Sequence, residues 1–287
     1  GAITSNGMME VARSGVFHPE MFTFAEVMLL FLAVMFTNVI LLDIFNTLGM
    51  PTSTTVSLVF GLLGAAVGIS IFKIANDALV TLPDGSLATM ADMINTGNAM
   101  AIIGGILISV VIAFVCGTVV MYITRLIFSF RYQSKLKSYG AVWCGIALTA
   151  ISYFAVFKGL KGTQVIPADW MSWMEGHIPM MLGGLLVGWS LIMSILSMLK
   201  VNILRITVLA GTFSLALAFA GNDLVNFIGV FVAGVDAYDI VRTTGDTNML
   251  MGGLNDPVVA NLLILFLSGA VMVVTLWFSK KAQSVSD

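Results

Sequence analysis

Between Ala99 and Ile123 the chain reads AMAIIGGILISVVIAFVCGTVVMYI, without one charged side chain. A run of that length is the feature that most limits the fold. About 20 apolar residues in a helix cross the roughly 30 Å hydrocarbon core of a bilayer, and in lipid only helices and closed barrels satisfy their own backbone hydrogen bonds. Six comparable runs accompany it, so that the seven cover about 24–48, 52–75, 99–129, 139–157, 178–199, 203–234 and 258–278. None shows the alternating ten-residue pattern of a barrel strand. Only 10% of the 287 residues are charged against 59% hydrophobic, with a mean hydropathy of +1.02. Soluble domains carry about 25% charged residues. The expected fold class is an all-α integral membrane protein.

Other composition features exclude functions. The net charge is −2 with no basic run, so nucleic acid is not a partner. Cys116 and Cys144 lie inside apolar runs and read as small buried hydrophobes, not as a disulfide framework. His18 and His177 stand in separate loops without metal-ligand spacing, so no metal site is expected. The start, GAITSNGMMEVARSG, has no basic stretch followed by an apolar one and is not a signal peptide.

Loop charge predicts orientation. The loop from Asn76 to Asn98 holds Asp77, Asp84 and Asp92 and no Lys or Arg. Arg125, Arg131, Lys135 and Lys137 gather after the third run, Lys200 and Arg205 flank a later turn, and Lys280 and Lys281 follow the last run. The positive-inside rule makes those basic regions cytoplasmic, in a multi-pass protein of the cell membrane, although Lys158 and Lys161 then fall outside.

Two acidic residues sit deep in apolar runs, Asp43 in VILLDIFNTLG and Asp223 in LALAFAGNDLVNFIGV. An ionisable group at membrane depth costs several kcal/mol and faces a cavity, an ion or a partner. Either Asp could instead cap a broken helix. Asp223 keeps telling company, because Asn222, Asp223 and Asn226 share one helical face at i,i+3 and i,i+4 spacing. Two amide oxygens and a carboxylate suit a sodium ion or a proton, and Gly221 permits a helix break or close approach there. DIFNTLGM (43–50) repeats part of DLVNFIGV (223–230), which makes Asp43 and Asn46 candidates for a second acidic site.

The polar string Thr52, Ser53, Thr54 and Thr55, following Pro51, interrupts the first two runs. Proline suits the first turn of a helix, and Ser and Thr suit its cap. The string therefore predicts a helix that begins inside the membrane, with unpaired amides, hydroxyls and a positive dipole end turned toward an anion. Broken helices of this kind are a device of secondary transporters. A capped helix start at the interface is the plainer alternative. An anion site beside an Asp/Asn cation site amounts to an ion-coupled anion transporter.

These motifs resemble those of the inorganic phosphate transporter (PiT) family. GMPTSTTVSLVFGLLGAAVG is similar to its G-[LM]-P-x-S-T-T-x-S segment, and AGNDLVNFIGV to its G-x-N-D-x-x-N segment, with Ala220 in place of the first Gly. The resemblance implies a helical bundle built from inverted repeats with broken or re-entrant helices. It implies phosphate held by Ser53, Thr54 and Thr55, with Thr52 and Asn226 adjoining, and a coupling cation held by Asp223, Asn222 and Asn226. The function implied is sodium- or proton-coupled phosphate symport, with no other cofactor. The family carries both signatures twice, and here each occurs once, since Ser284 and Ser286 lack a neighbouring Pro or Thr. The expectation is one transporter domain over 1–287 truncated at both ends: the rest of repeat one to about 135, connecting helices over 136–200, and the start of repeat two from 201. A homodimer would supply the missing halves.

Three other readings compete. A sulfate or related oxyanion carrier would use the same cradle. A non-transporting scaffold or receptor fits an incomplete chain. An intramembrane aspartyl hydrolase would pair Asp43 with Asp223 as acid and base, but Asn222 stands before Asp223 where such proteases place Gly, and an enzyme is not expected.

Overall fold

A computed structural model describes residues 11–129, 132–160, 167–256 and 262–279. Arg131, Lys161, Lys280, Lys281, Ser284 and Ser286 lie outside the described residues, as does the stretch before residue 11. Among the described residues, eight α-helices of nine or more residues carry the fold: α1 Phe24–Thr47, α2 Thr54–Ala75, α3 Thr96–Phe128, α4 Tyr132–Phe154, α5 Ala168–Gly176, α6 Ile178–Met198, α7 Ile203–Thr244 and α8 Leu262–Phe278. Among the described residues, the β pairing is limited to isolated bridges such as Phe17–Ile94 and Thr23–Leu250. The protein is an all-α membrane protein.

Six of the seven expected runs give helices long and apolar enough to cross a bilayer. The seventh, α8, is described over Leu262–Phe278, and the beginning of the expected run, 258–261, lies outside the described residues. The helix α7 continues beyond the expected end near residue 234 to Thr244. Its extra turns carry Asp236, whose carboxylate lies 3.4 Å from the buried Arg13 guanidinium.

The chain divides into two compact units, residues 1–103 with 221–287, and residues 104–220. The division falls within α3 and within α7. In the first unit, α1 and α2 form an antiparallel hairpin. Glu26 near the start of α1 meets Lys73 near the end of α2, and Asn38 further along α1 meets Ser57. Apolar side chains of α1 (Val27, Phe31, Val34), α2 (Leu58, Leu62) and α7 (Val230, Ala233, Ala237) make one core. Phe17, Phe22, Met93, Met251 and Leu254, from the segments flanking these helices, extend that core.

The turn between α1 and α2 has a clear cause. Gly49 takes a positive φ of 65°, which a Cβ would disfavour. That lets the Gly49 amide donate to Asn46 O at 3.2 Å and the Met50 amide to Phe45 O at 2.9 Å, closing α1 in a Schellman motif. In the Asn76–Asn98 loop, hydrogen bonds donated by Ser86 and by Thr89 hold the Asp84 and Asp92 carboxyls below their ordinary value of 3.8. These two turns keep their carboxylates charged on the face that loop charge predicts to be outside.

The second unit packs α4 on α6 around Cys144, Leu148 and Met193, with the Trp189 indole donating to Ser152 Oγ at 3.0 Å. The approach is closest at Gly145, where a methyl group would lie 3.0 Å from both Cα and N of Ser190. Backbone cannot yield as a flexible side-chain tip can. Gly145→Ala should destabilise this unit by about 1–3 kcal/mol through overpacking, read as a lower melting temperature in detergent, whereas Gly183→Ala, with nothing within 4 Å, should leave it unchanged.

Candidate functional site

The first turn of α2 and the middle of α7 meet in the first unit. Ser53 is the N-cap of α2, its hydroxyl accepting from the Val56 amide at 3.3 Å. The helix therefore starts at Thr54, and Pro51 lies before the helix and not in its first turn. Fixing the start at Thr54 sends Thr54 and Thr55 along neighbouring directions toward α7. By position, their amides have no acceptor within the helix.

On α7 the side chains of Asn222, Asp223 and Asn226 answer them. The Thr54 hydroxyl donates to Asp223 Oδ1 at 2.9 Å. It also accepts from Asn226 Nδ2 at 2.9 Å. Thr55 Oγ1 accepts twice, from Asn226 Nδ2 at 2.8 Å and from Asn222 Nδ2 at 3.0 Å. The expected i,i+3 and i,i+4 stripe is thus real, and it meets the hydroxyl string 167 to 172 residues away in sequence. The helix runs through Gly221 without a break.

A donor and acceptor count shows what this network leaves over. A hydroxyl has one proton and two lone pairs. Both lone pairs of Thr55 are taken by amide donors, so its proton is left over as a donor. Thr54 spends its proton on Asp223. Both protons of Asn226 Nδ2 are used on the two threonines, while its Oδ1 is buried with no hydrogen-bond partner. Asn226 is only 2% exposed, so bulk solvent does not reach that oxygen. An orphaned oxygen in such a place carries a penalty of about 1–3 kcal/mol until something positive or a donor meets it. Beside the Asp223 carboxylate, that oxygen suits a hard cation.

The structure leaves other expected residues out of this network. Ser53 is exposed and committed to its cap, and Thr52 is half-buried just before it. Asp43 is exposed on α1 and Asn46 half-buried, and none of the bonds joining Thr54, Thr55, Asn222, Asp223 and Asn226 involves either. The matching strings at 43–50 and 223–230 differ in outcome because Gly49 ends α1, whereas Gly229 continues inside α7.

Sequence reasoning passed over a second polar contact in the same hairpin. Ser57 Oγ donates to Asn38 Oδ1 at 2.6 Å, with both residues buried. A lone Asn in the middle of the first apolar run was the available signal. It also passed over Lys73, which is 2% exposed and donates to Glu26 Oε2 at 2.8 Å and to Met21 O at 2.9 Å. Its position at the end of a run reads as an ordinary span edge.

No curated protein and no solved structure gives a match to this chain. A family model described as the phosphate transporter family matches residues 1–281. That family is one of transporters and not of enzymes, which removes the hydrolase reading. The match takes in both the hydroxyl start of α2 and the Asn/Asp stripe of α7 that the fold brings together, and the chain belongs to the phosphate transporter family.

Proposed function

We propose that the protein carries inorganic phosphate across the cell membrane by ion-coupled symport, with a sodium ion or a proton as the coupling ion. Phosphate takes its hydrogen bonds from the Thr54 and Thr55 hydroxyls and the bare amides of the first turn of α2, with Thr52, Ser53 and Asn226 adjoining. The cation sits at Asp223, with oxygens of Asn226 and Asn222.

One observation carries the proposal: the Thr54 hydroxyl proton is bound to the Asp223 carboxylate. A carboxylate in that place occupies the donor an anion needs. A cation on Asp223 draws the carboxylate's charge to itself and weakens its hold on Thr54, whose proton then turns to the phosphate. The buried Oδ1 of Asn226 gains a positive partner in the same step. Cation and anion thus stabilise each other's sites, which is the free-energy coupling that symport requires.

The test is flux in proteoliposomes containing the full-length protein. Phosphate should accumulate against its own gradient when an inward sodium or proton gradient is imposed, and excess sulfate should compete poorly. Thr54→Val keeps the shape and removes the shared proton. Loss of a hydrogen bond to a charged group costs about 1.5–3 kcal/mol, so uptake at low phosphate should fall roughly tenfold to a hundredfold. Uptake indifferent to both gradients would refute symport, and sulfate competing as well as phosphate would reassign the substrate.

A further inference from the structure

We propose that Asn38 is a positioning residue for this site: through the Ser57 hydroxyl it sets the rotation of α2 that turns Thr54 and Thr55 onto α7. The proposal rests on the phosphate reading above and concerns a residue outside the cradle itself.

The geometry is that of one helix held from two sides. Successive residues of an α-helix are about 100° apart around its axis. Thr54 and Thr55 therefore point to one arc of α2, and Ser57 and Gly61 to another, the centres of the arcs lying about 90° apart. The first arc meets α7 through Asp223, Asn222 and Asn226. The second meets α1, where Ser57 Oγ lies 2.6 Å from Asn38 Oδ1. At Gly61 an added methyl would sit 3.4 Å from Val34 Cγ1 and 3.9 Å from Asn38 Oδ1, so the α1 face is closely fitted there.

Apolar contacts between α1 and α2 hold the helices together but are non-directional. They resist separation far more than a small rotation. The Asn38–Ser57 hydrogen bond is directional and shielded from water, since Asn38 is 9% and Ser57 8% exposed. Side-chain tips lie about 5–6 Å from the helix axis, so a rotation of roughly 20° moves them about 2 Å. That is enough to break contacts of 2.8 to 3.0 Å at Thr54 and Thr55. Ser57 is one turn from Thr54, so a constraint on Ser57 passes to Thr54 through a single rigid helical turn.

A purely structural role and a positioning role separate in three variants: Asn38→Leu, Ser57→Ala and the double variant. Each single change leaves one buried polar group unpartnered and lowers stability, whereas replacing both partners by apolar groups is close to neutral. The double variant should therefore recover the wild-type melting temperature and membrane abundance. Its KM for phosphate should nevertheless stay raised about fivefold or more, as in each single variant, because the directional constraint is absent in all three. A KM at the wild-type value in the double variant, or in all variants, would overturn the positioning role while leaving phosphate transport intact. Absence of phosphate uptake by the wild-type protein would overturn both.

Discussion

Asp223→Asn should abolish cation-driven phosphate accumulation while leaving the protein folded. The substitution is nearly isosteric, and an amide oxygen can still accept from Thr54, whose hydroxyl now lies 2.9 Å from Asp223 Oδ1. What disappears is the negative charge. Asp223 is half-buried, and losing an interaction with a charged group costs about 1.5–3 kcal/mol, which corresponds to a loss of roughly tenfold to a hundredfold in cation affinity. The measurement is phosphate uptake against cation concentration in proteoliposomes. Saturation should move beyond the accessible cation range, with the melting temperature in detergent close to wild type. A variant that accumulates phosphate with unchanged cation dependence would remove Asp223 from the coupling site. The contrast with Thr54→Val is informative, since that change strikes the anion's donor first and should raise the phosphate KM more than it shifts the cation dependence.

The largest stability effect should come from Lys73→Met. Lys73 is 2% exposed and Glu26 22% exposed, with 2.8 Å between Nζ and Oε2. The ammonium also donates to Met21 O and stands 5.5 Å from the centre of the Phe22 ring. Glu26 in turn accepts the Thr23 amide at 2.7 Å, which caps the start of α1. Removing one partner of a buried pair costs about 3–5 kcal/mol because the other is left uncompensated. The partial exposure of Glu26 puts the expected loss at the lower end, about 3 kcal/mol. Thermal unfolding in detergent would show it. Adding Glu26→Leu to Lys73→Met should restore much of the loss, since apolar replacement of both partners is often neutral or stabilising. Lys73 lies about 28 Å along α2 from Thr54, so protein that remains folded should keep its phosphate KM. A single variant as stable as wild type would show that the pair contributes little.

The hairpin of α1 and α2 shows how far local sequence reaches. The hydroxyl string marks the start of α2, and Ser53 caps it in the structure, while Gly49, which the sequence offered only as part of a repeated string, ends α1. Proline at position 51 pointed to a helix start, but the cap was decided by which hydroxyl captured a free amide, and Ser53 took that of Val56. The end of α7 shows the opposite. Hydropathy fades near residue 234, yet the helix continues to Thr244. Backbone hydrogen bonds propagate regardless of lipid, and Asp236 finds Arg13 as a partner from a distant stretch of chain.

The candidate site was legible in its parts. Asn222, Asp223 and Asn226 fall on one face because of the helical period alone, and the hydroxyl string stood out against its apolar surroundings. Which hydroxyls would serve was not legible. Thr52 and Ser53 precede the first turn of α2, and it is Thr54 and Thr55, inside that turn, whose hydroxyls bond to α7. Asp43 and Asp223 likewise share a local pattern, and that Asp223 accepts from Thr54 was not legible in it, because facing depends on neighbours that no local string encodes.

The sequence by itself determined that the chain lives in a membrane as helices, where the apolar stretch of each span lies, and which stripe of α7 is polar. Hydrophobic length and helical period are local properties and need no knowledge of the fold. The tertiary structure alone decided that Thr54 and Thr55 meet the α7 stripe, that Asn226 keeps an unmatched buried oxygen, and that Lys73 closes on Glu26. Each of these depends on the rotation of one helix against another, which is set by the summed packing and directional hydrogen bonds of residues far apart in the chain.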